Sequence, residues 1–476
     1  MSPNQPPITP EQLAALPPEF QAILRAVIDH YERRIAGYER RIAELEARLG
    51  KTPQNSSLPP STQHPHAKPP AAKRKNRRKQ GGQPGHEKHE RTLIPVEQCT
   101  AVLDHRPKKC RSCGGKLSGS DPAPWRHQVW DLPEIVPLVT EHRRHRLTCC
   151  DCGTVNCGKL PADVPRGQAG ARLIAFTALL MGCFRQSKRR TALFLTTIMN
   201  TPCSPGWVVK MQNQTTAALR PDYDDLVAKL SVQDQLHIDE SPHKQGRSKT
   251  WLWTFVAGNF TVFALRLTRK AEELYAHVGD DFAGVVNCDR AKMYIGLKKL
   301  QWCWAHLKRD FQALIDSGDG QSKRLGQELL RELNAMFGLW HRCRDGTLSR
   351  RGFKSQMSSI RQGVEALLLR GKFSGNSRLT GMCDQLYQGR EHLWTFVSVE
   401  GVEPTNNAAE RALRPAVIWR KLSFGTQSAG GSRFVETMLT VIETCRQQEK
   451  NAFDHISQAV KAHLAGKQPE LLLPEA

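Results

Sequence analysis

Gln233-Asp234-Gln235-Leu236-His237-Ile238-Asp239 and Gly284-Val285-Val286-Asn287-Cys288-Asp289 are two short apolar runs, each closing on an aspartate. Both read as strands. Between them, residues 251–257 and 260–267 form two further strand patterns joined by Gly258-Asn259, a pair suited to a tight hairpin turn. Residues 271–278 then read as a helix. The neighbouring acids are less well placed. Glu240 points to the opposite face of its strand from Asp239, so at most one of the two reaches a common site. Taken alone, Asp289 reads as a turn former at a strand end.

Three meandering strands, a helix and a strand parallel to the first are the opening order of an RNase H-like fold, which would set Asp239 and Asp289 on neighbouring strands. A third carboxylate lies in Asn406-Asn407-Ala408-Ala409-Glu410-Arg411, on an expected helix. Two readings of Glu410 are open. In one, Asn407 is an N-cap and Glu410 completes a capping box by reaching back to the backbone. In the other, Glu410 joins the aspartates, with Arg411, Arg414, Arg420 and Lys421 nearby to hold phosphates. Three convergent carboxylates are a hard-oxygen set able to hold two Mg²⁺ or Mn²⁺ ions.

The totals suit a nucleic-acid partner. The chain has 476 residues, enough for several domains, and carries a net charge of +23 with a pI near 9.7. Residues 1–17 contain no apolar signal core, and no run of 18 apolar residues occurs, so a cytoplasmic, nucleoid-associated protein with no membrane contact is expected. Fourteen cysteines spread along the chain then point to metal ligation in a reducing compartment rather than disulfides.

The expected organisation is an α/β multidomain chain. Residues 1–50 carry a heptad seam of Leu24, Ile28, Tyr31, Ile35, Tyr38, Ile42, Leu45 and Leu49, read either as a self-associating coiled coil or as an amphipathic helix packed on its own domain. Residues 51–92 are a Pro- and Gly-rich linker. Within it Lys73, Arg74, Lys75, Arg77, Arg78 and Lys79 form a phosphate-tracking arm or a solvated charge run. Residues 93–160 hold two Cys-x-x-Cys knuckles, Cys110 with Cys113 and Cys149 with Cys152, and strands are expected over 129–146. That spacing predicts a structural zinc ribbon with four thiolate ligands, although Cys150 and Cys157 lie close by.

Residues 161–230 read as helical, with 190–200 and 206–219 either a DNA-reading helix-turn-helix or an ordinary helical hairpin. A catalytic core follows at 231–316, a helical insertion at 317–394, the second part of the core with its third acid at 395–446, and a helical tail at 447–476. Cys303 and His306 share a helix face and are read either as a packed pair or as metal ligands.

The acidic trio, spaced by 50 and 121 residues, resembles the DDE transposases, and in detail the insertion-sequence sixty-six family. The matching stretches are Asn55-Ser56-Ser57-Leu58-Pro59-Pro60-Ser61, Gly81-Gly82-Gln83-Pro84-Gly85-His86, the paired Cys knuckles, Cys303-Trp304-Ala305-His306, and residues 405–415. They follow the family order over nearly the whole chain. Ser241 stands where the family usually has Thr, and Arg290 where it usually has Gly. The resemblance implies that Asp239, Asp289 and Glu410 are catalytic acids for metal-dependent DNA cleavage and strand transfer. It further implies the element's terminal inverted repeats and target DNA as partners, a homodimer or larger oligomer, and small accessory transposition proteins. The competing readings are a catalytically inactive or regulatory zinc-ribbon DNA-binding protein and a non-transposing RNase H-like nuclease.

Overall fold

The computed structural model describes residues 15–49, 51–52, 55–56, 91–162, 164–317 and 319–473. The basic run from Lys73 to Lys79 and the Gly81–His86 motif lie outside them. Helix α1 (Pro18–Leu49) carries the heptad seam, and Ile28, Tyr31, Ile35, Tyr38 and Ile42 are all exposed on it; the side chains of Leu45 and Leu49 lie outside the described set.

From residue 91 to 160 no described residue is buried. The strands expected over 129–146 are absent up to residue 145: the chain has no regular structure there until β1 (Arg146–Thr148), which pairs antiparallel with β2 (Val155–Cys157). Such a segment has no apolar core to hold longer ladders in register.

Helices α2 (Ala171–Gly182), α3 (Lys188–Thr197), α4 (Pro205–Ala218) and α5 (Arg220–Ala228) follow. α3 and α4 begin where Ser187 and Ser204 accept backbone N–H bonds, which starts α3 two residues before the expected hairpin. α4 buries Val208, Met211, Gln212, Thr215 and Ala218.

The core is a five-stranded sheet of β3 (Gln235–Gln245), β4 (Ser248–Val256), β5 (Thr261–Arg266), β6 (Val285–Cys288) and β7 (Leu300–Trp302), ordered β5-β4-β3-β6-β7. β3, β4 and β5 are an antiparallel meander, while β6 and β7 run parallel to β3. Helix α6 (Ala271–Val278) makes the crossover from β5 to β6. Ahead of the third acid come α7 (Trp304–Ile315), the insertion helices α8 (Gly320–Arg344), α9 (Arg350–Lys372) and α10 (Ser377–Gln388), and a single turn, α11 (Thr395–Ser398). The chain closes with α12 (Asn407–Ser423), α13 (Ala429–Gln447) and α14 (Ala452–Leu464).

One exposed edge of this sheet is covered by a helix. Along β5 the N–H groups of Thr261, Phe263 and Leu265 donate to Thr444 Oγ1 (3.2 Å), Thr440 Oγ1 (2.9 Å) and Glu436 Oε2 (2.9 Å) of α13. Every second strand residue rises about 6.8 Å and every fourth helix residue about 6 Å, so the two repeats stay in step over three contacts. This removes the edge as a site for pairing with another chain.

Candidate active site

The parallel ladder between β3 and β6 pairs Gln235 with Val285, Leu236 with Val286 and His237 with Asn287. Each pair is fifty residues apart, the same offset as Asp239 and Asp289. The two aspartates therefore lie level just past the last paired residues of this ladder: Asp289 follows the end of β6, whereas Asp239 sits within β3, which runs on to Gln245 instead of closing at Asp239 as expected, because β4 continues to pair with it. Asp239 Oδ1 accepts the Glu240 N–H (2.9 Å). Asp289 Oδ1 accepts the Ala291 N–H (2.8 Å), forming the local turn anticipated for it, while Oδ2 faces Arg269 Nη2 at 3.8 Å.

Glu410 reaches the same region from α12. The capping-box reading is overturned: the N-cap position is Asn406, not Asn407, and it makes no side-chain capping bond. The Asn406 side chain is engaged elsewhere, donating from Nδ2 to Ile238 O (2.7 Å) and meeting His237 Nδ1 through Oδ1 (3.3 Å). Glu410 Oε1 is buried without a hydrogen-bond partner among the described residues, and faces His306 Nδ1 at 3.8 Å and Arg309 Nη2 at 3.7 Å.

The electrostatics couple the acids. Burial raises the Asp239 carboxyl well above the usual carboxylate range, and the charges of Glu240, Asp289 and Glu410 push it further. Burial also raises Glu240, with Asp289 adding to the effect and Arg269 opposing it. The expectation that strand alternation lets at most one of Asp239 and Glu240 reach a common site is corrected here, since the charge of Asp289 acts on both. Its carboxylate accepts from Tyr294 Oη and Arg269 Nε, both at 2.6 Å, and shares Arg269 Nη2 with Asp289. Asp289 follows the last strand residue, so the pleat no longer dictates its direction.

Two asparagines that composition and spacing did not single out hold this arrangement. Asn287 is 1% exposed, accepts from Gln235 Nε2 (3.0 Å), and donates to Glu403 O (2.7 Å) and Thr405 O (3.3 Å). Asn406, also 1% exposed, adds a backbone N–H to Cys303 Sγ at 3.1 Å. A polar Asn287 inside an otherwise apolar strand was the available signal. Burial pushes His237 down to about 4, so the ring beside Asn406 is neutral at ordinary pH.

Of the basic residues anticipated near Glu410, Arg411, Arg414 and Lys421 are exposed along α12. Arg420 is half-buried and donates to Ser241 Oγ (3.0 Å). Arg290 bridges to Asp310 (2.5 Å) and Gln385 (3.0 Å), tying the Asp289 loop to α7 and α10.

The cysteine knuckles are each formed. Gly114 N–H donates to Cys110 O and Gly153 N–H to Cys149 O, both at 3.0 Å. Both glycines take positive φ, +73° and +68°, which a side chain would resist. Hydrogen bonds within and beside the knuckles hold the Cys110 and Cys152 thiols below their usual value. The four sulfurs, however, do not gather into one ligand group: among the described residues the one cluster with ligand atoms all within 4.8 Å is Cys303, His306 and Glu410. The donor set of the knuckles still fits zinc, because four thiols with nothing buried around them depend on a metal to order the segment.

A mixed α/β core with clustered acids, preceded by paired cysteine knuckles, is an organisation found among transposases. Residues 166–433, more than half of the chain, match the Transposase IS66 family, and the protein belongs to that family. Residues 107–153, which span both knuckles, match the zinc-finger binding domain of transposase IS66, and residues 7–92 match a family of unknown function, DUF6444. Two similar proteins, both from Sinorhizobium fredii (strain NBRC 101917 / NGR234), are uncharacterized. Protein y4qI is 26% identical over 275 residues, 50% of this chain and 49% of the relative. Protein y4hP is 26% identical over 392 residues, 72% of this chain and 68% of the relative. The chain thus spans about half the length of the first relative. The two family matches support a transposase role with a zinc-finger segment. No helix among the described residues is long and apolar enough to cross a membrane.

Proposed function

We propose that this chain is a DDE transposase with an RNase H-like core, which cleaves DNA at the ends of a mobile element and joins the freed 3′ ends to target DNA. The observation that carries the reading is the convergence of Asp239 and Asp289, set by the β3–β6 register, with Glu410 Oε1 buried and without a hydrogen-bond partner among the described residues. Buried acids that raise one another's proton affinity are a poor arrangement without a cation and a good one with it. The donor set is all hard oxygen, which fits Mg²⁺ or Mn²⁺.

Asp239 and Asp289 would hold the ions and Glu410 complete the site. When bound there, divalent ions supply the Lewis acidity that activates water or a 3′-hydroxyl and stabilises the leaving oxygen. Arg269 now neutralises Asp289 and Glu240 and would swing toward phosphate as the site loads. The exposed Arg411, Arg414 and Lys421 would hold the DNA backbone beside the acids, and Arg420 would fix the strand just beyond Asp239. Recognition of the terminal repeats would fall to the zinc ribbon, the α3–α4 hairpin and the basic arm. The exposed seam of α1 supports pairing of two copies, so that two element ends meet in one complex.

The test is incubation of the full chain with duplex DNA carrying the flanking element ends, in Mg²⁺ or Mn²⁺, beside Asp239→Asn and Asp289→Asn. Nicking at the end boundary that needs both the metal and the aspartates is expected, with DNA binding kept in both variants. Cleavage without joining would point to a plain nuclease. Binding without cleavage, with accessory proteins supplied, would point to a regulator.

A further inference from the structure

Cys303, His306 and Glu410 come from the two sides of the chain that flank the insertion, yet their ligand atoms all lie within 4.8 Å of one another. His306 Nδ1 and Glu410 Oε1 are both buried with no hydrogen-bond partner among the described residues, and they face each other at 3.8 Å. That separation is too long for a hydrogen bond and is readily spanned by one ion with bonds of about 2.0–2.2 Å to nitrogen and oxygen and about 2.3 Å to sulfur. Two buried atoms without hydrogen-bond partners carry a desolvation cost that neither their own contact nor Arg309, 3.7 Å from Glu410 Oε1, relieves with a hydrogen bond.

We propose that Cys303, His306 and Glu410 form a second metal site, for a zinc-class cation, distinct in chemistry from the all-oxygen site and joined to it through Glu410. The reading of Glu410 as the third acid supplies that link; the site itself stands on geometry alone.

The donor set selects the ion. A thiolate and an imidazole favour zinc-class metals over magnesium, and one thiolate with one carboxylate neutralise a divalent charge in a place where net charge would be costly. Cys303 sits at the N-cap of α7, 2% exposed, and burial pushes its thiol up, so an ion binding there displaces the thiol proton. Its sulfur already accepts the Asn406 N–H at 3.1 Å, the kind of outer contact that orients a metal-bound sulfur. A cysteine retained only for packing has no need of that bond. Cys303 and His306 are one helical turn apart and project together, while Glu410 arrives from α12. Three protein ligands leave a fourth position open. An ion there pins the third acid to the element that follows β7, so that Glu410 is held before DNA arrives.

The test is Co²⁺ uptake by the full chain, read by absorption and by metal stoichiometry, comparing wild type with Cys303→Ser and His306→Gln. Because the ribbon cysteines also take up Co²⁺, the readout is the difference between proteins. Wild type is expected to bind one equivalent more than Cys303→Ser, with a difference spectrum showing a single thiolate-to-cobalt band and intense four-coordinate visible bands. His306→Gln, at a partly exposed residue, is expected to weaken that equivalent at least tenfold while keeping the wild-type circular dichroism. Identical stoichiometry and spectra in wild type and both variants would overturn the proposal. Asp239→Asn in the same series should keep the extra equivalent and lose DNA cleavage, so failure of the metal site and failure of the transposase reading give different patterns.

Discussion

Replacing Asn406 by alanine tests whether Glu410 is placed by a buried clamp or by an ordinary helix cap. The Asn406 side chain is buried and makes two contacts, to Ile238 O at 2.7 Å and His237 Nδ1 at 3.3 Å. Truncation leaves one carbonyl and one neutral ring nitrogen short of a partner in a place closed to water. At about 1–3 kcal/mol for each orphaned group, with the longer contact at the low end, the expected loss is about 2–4 kcal/mol. Asn407→Ala is the control: as the neighbour with no capping bond it should cost about 0.5 kcal/mol or less. Urea unfolding followed by tryptophan fluorescence is a suitable assay, since Trp302, Trp304, Trp394 and Trp419 are buried on the elements around this clamp. Activity should fall further than stability does. Glu410 donates its backbone N–H to Asn406 O, so slackening the helix start displaces the carboxylate, and misplacement of a reacting group by about 1 Å can cost about a hundredfold in rate. If Asn407→Ala is the more damaging change, or Asn406→Ala costs under about 0.5 kcal/mol, the capping box stands and the clamp argument is wrong.

Thr440→Val keeps the shape of α13 but removes the acceptor for the Phe263 N–H, so a loss of about 1–3 kcal/mol is expected in the same unfolding assay; an unchanged midpoint would mean the strand edge is not held this way. Asp239 and Glu240 have raised folded-state values, so their contribution is present at low pH and lost as pH rises through those values, whereas His237, lowered from 6.5 to about 4, contributes above pH 6.5 and loses it as pH falls toward 4. Above pH 6.5, where the His237 contribution is constant, any change in the melting point of metal-free protein should therefore be a fall as pH rises, and Mg²⁺ at about ten times its dissociation constant should add about 1.4 kcal/mol; a melting point that rises with pH in that range without metal would contradict the sign. Changing Ile35 and Ile42 to polar residues should leave a folded monomer by light scattering, and a persistent dimer would place the interface elsewhere.

Four of the five strands were legible because they carry strong local patterns, and the fifty-residue offset of the two aspartates is itself the register of a parallel pair; β7, only three residues long, was not read, and β3 runs past its expected end. The insertion was legible as helical from its periodicity. What could not be read is how groups distant in sequence meet in space. Nothing local says that Asn406 turns away from its own helix to bond Ile238, or that Arg269 serves Glu240 and Asp289 together. Alternation between Asp239 and Glu240 did not keep Glu240 apart from the acids, because Asp289 follows the end of β6 and shares Arg269 with Glu240. The strands anticipated over 129–146 failed for a different reason: β-rich composition does not make a ladder where no residue is buried.

The distance in sequence between the second and third acids explains less than the seams that close it. The chain leaves the sheet at β7 and returns before α12, and the return is stitched to the departure. Thr395 Oγ1 donates to Leu300 O (2.6 Å), the Phe396 N–H to Gln301 Oε1 (2.8 Å), and Trp304 Nε1 to Leu393 O (2.8 Å). A second row follows, from the Trp304 N–H to Pro404 O (3.0 Å), Asn287 to Glu403 O and Asn406 N–H to Cys303 Sγ. The start of α9 joins the same seam, with Arg350 Nη2 donating to Phe396 O (2.7 Å), Val397 O (3.0 Å) and Val399 O (3.1 Å). A change in Gln301, Asn287 or Asn406 should therefore move Glu410 even though none of the three is a carboxylate. On this view the position of the third acid depends on the polar seam that joins the insertion to the sheet, Arg350 of α9 included.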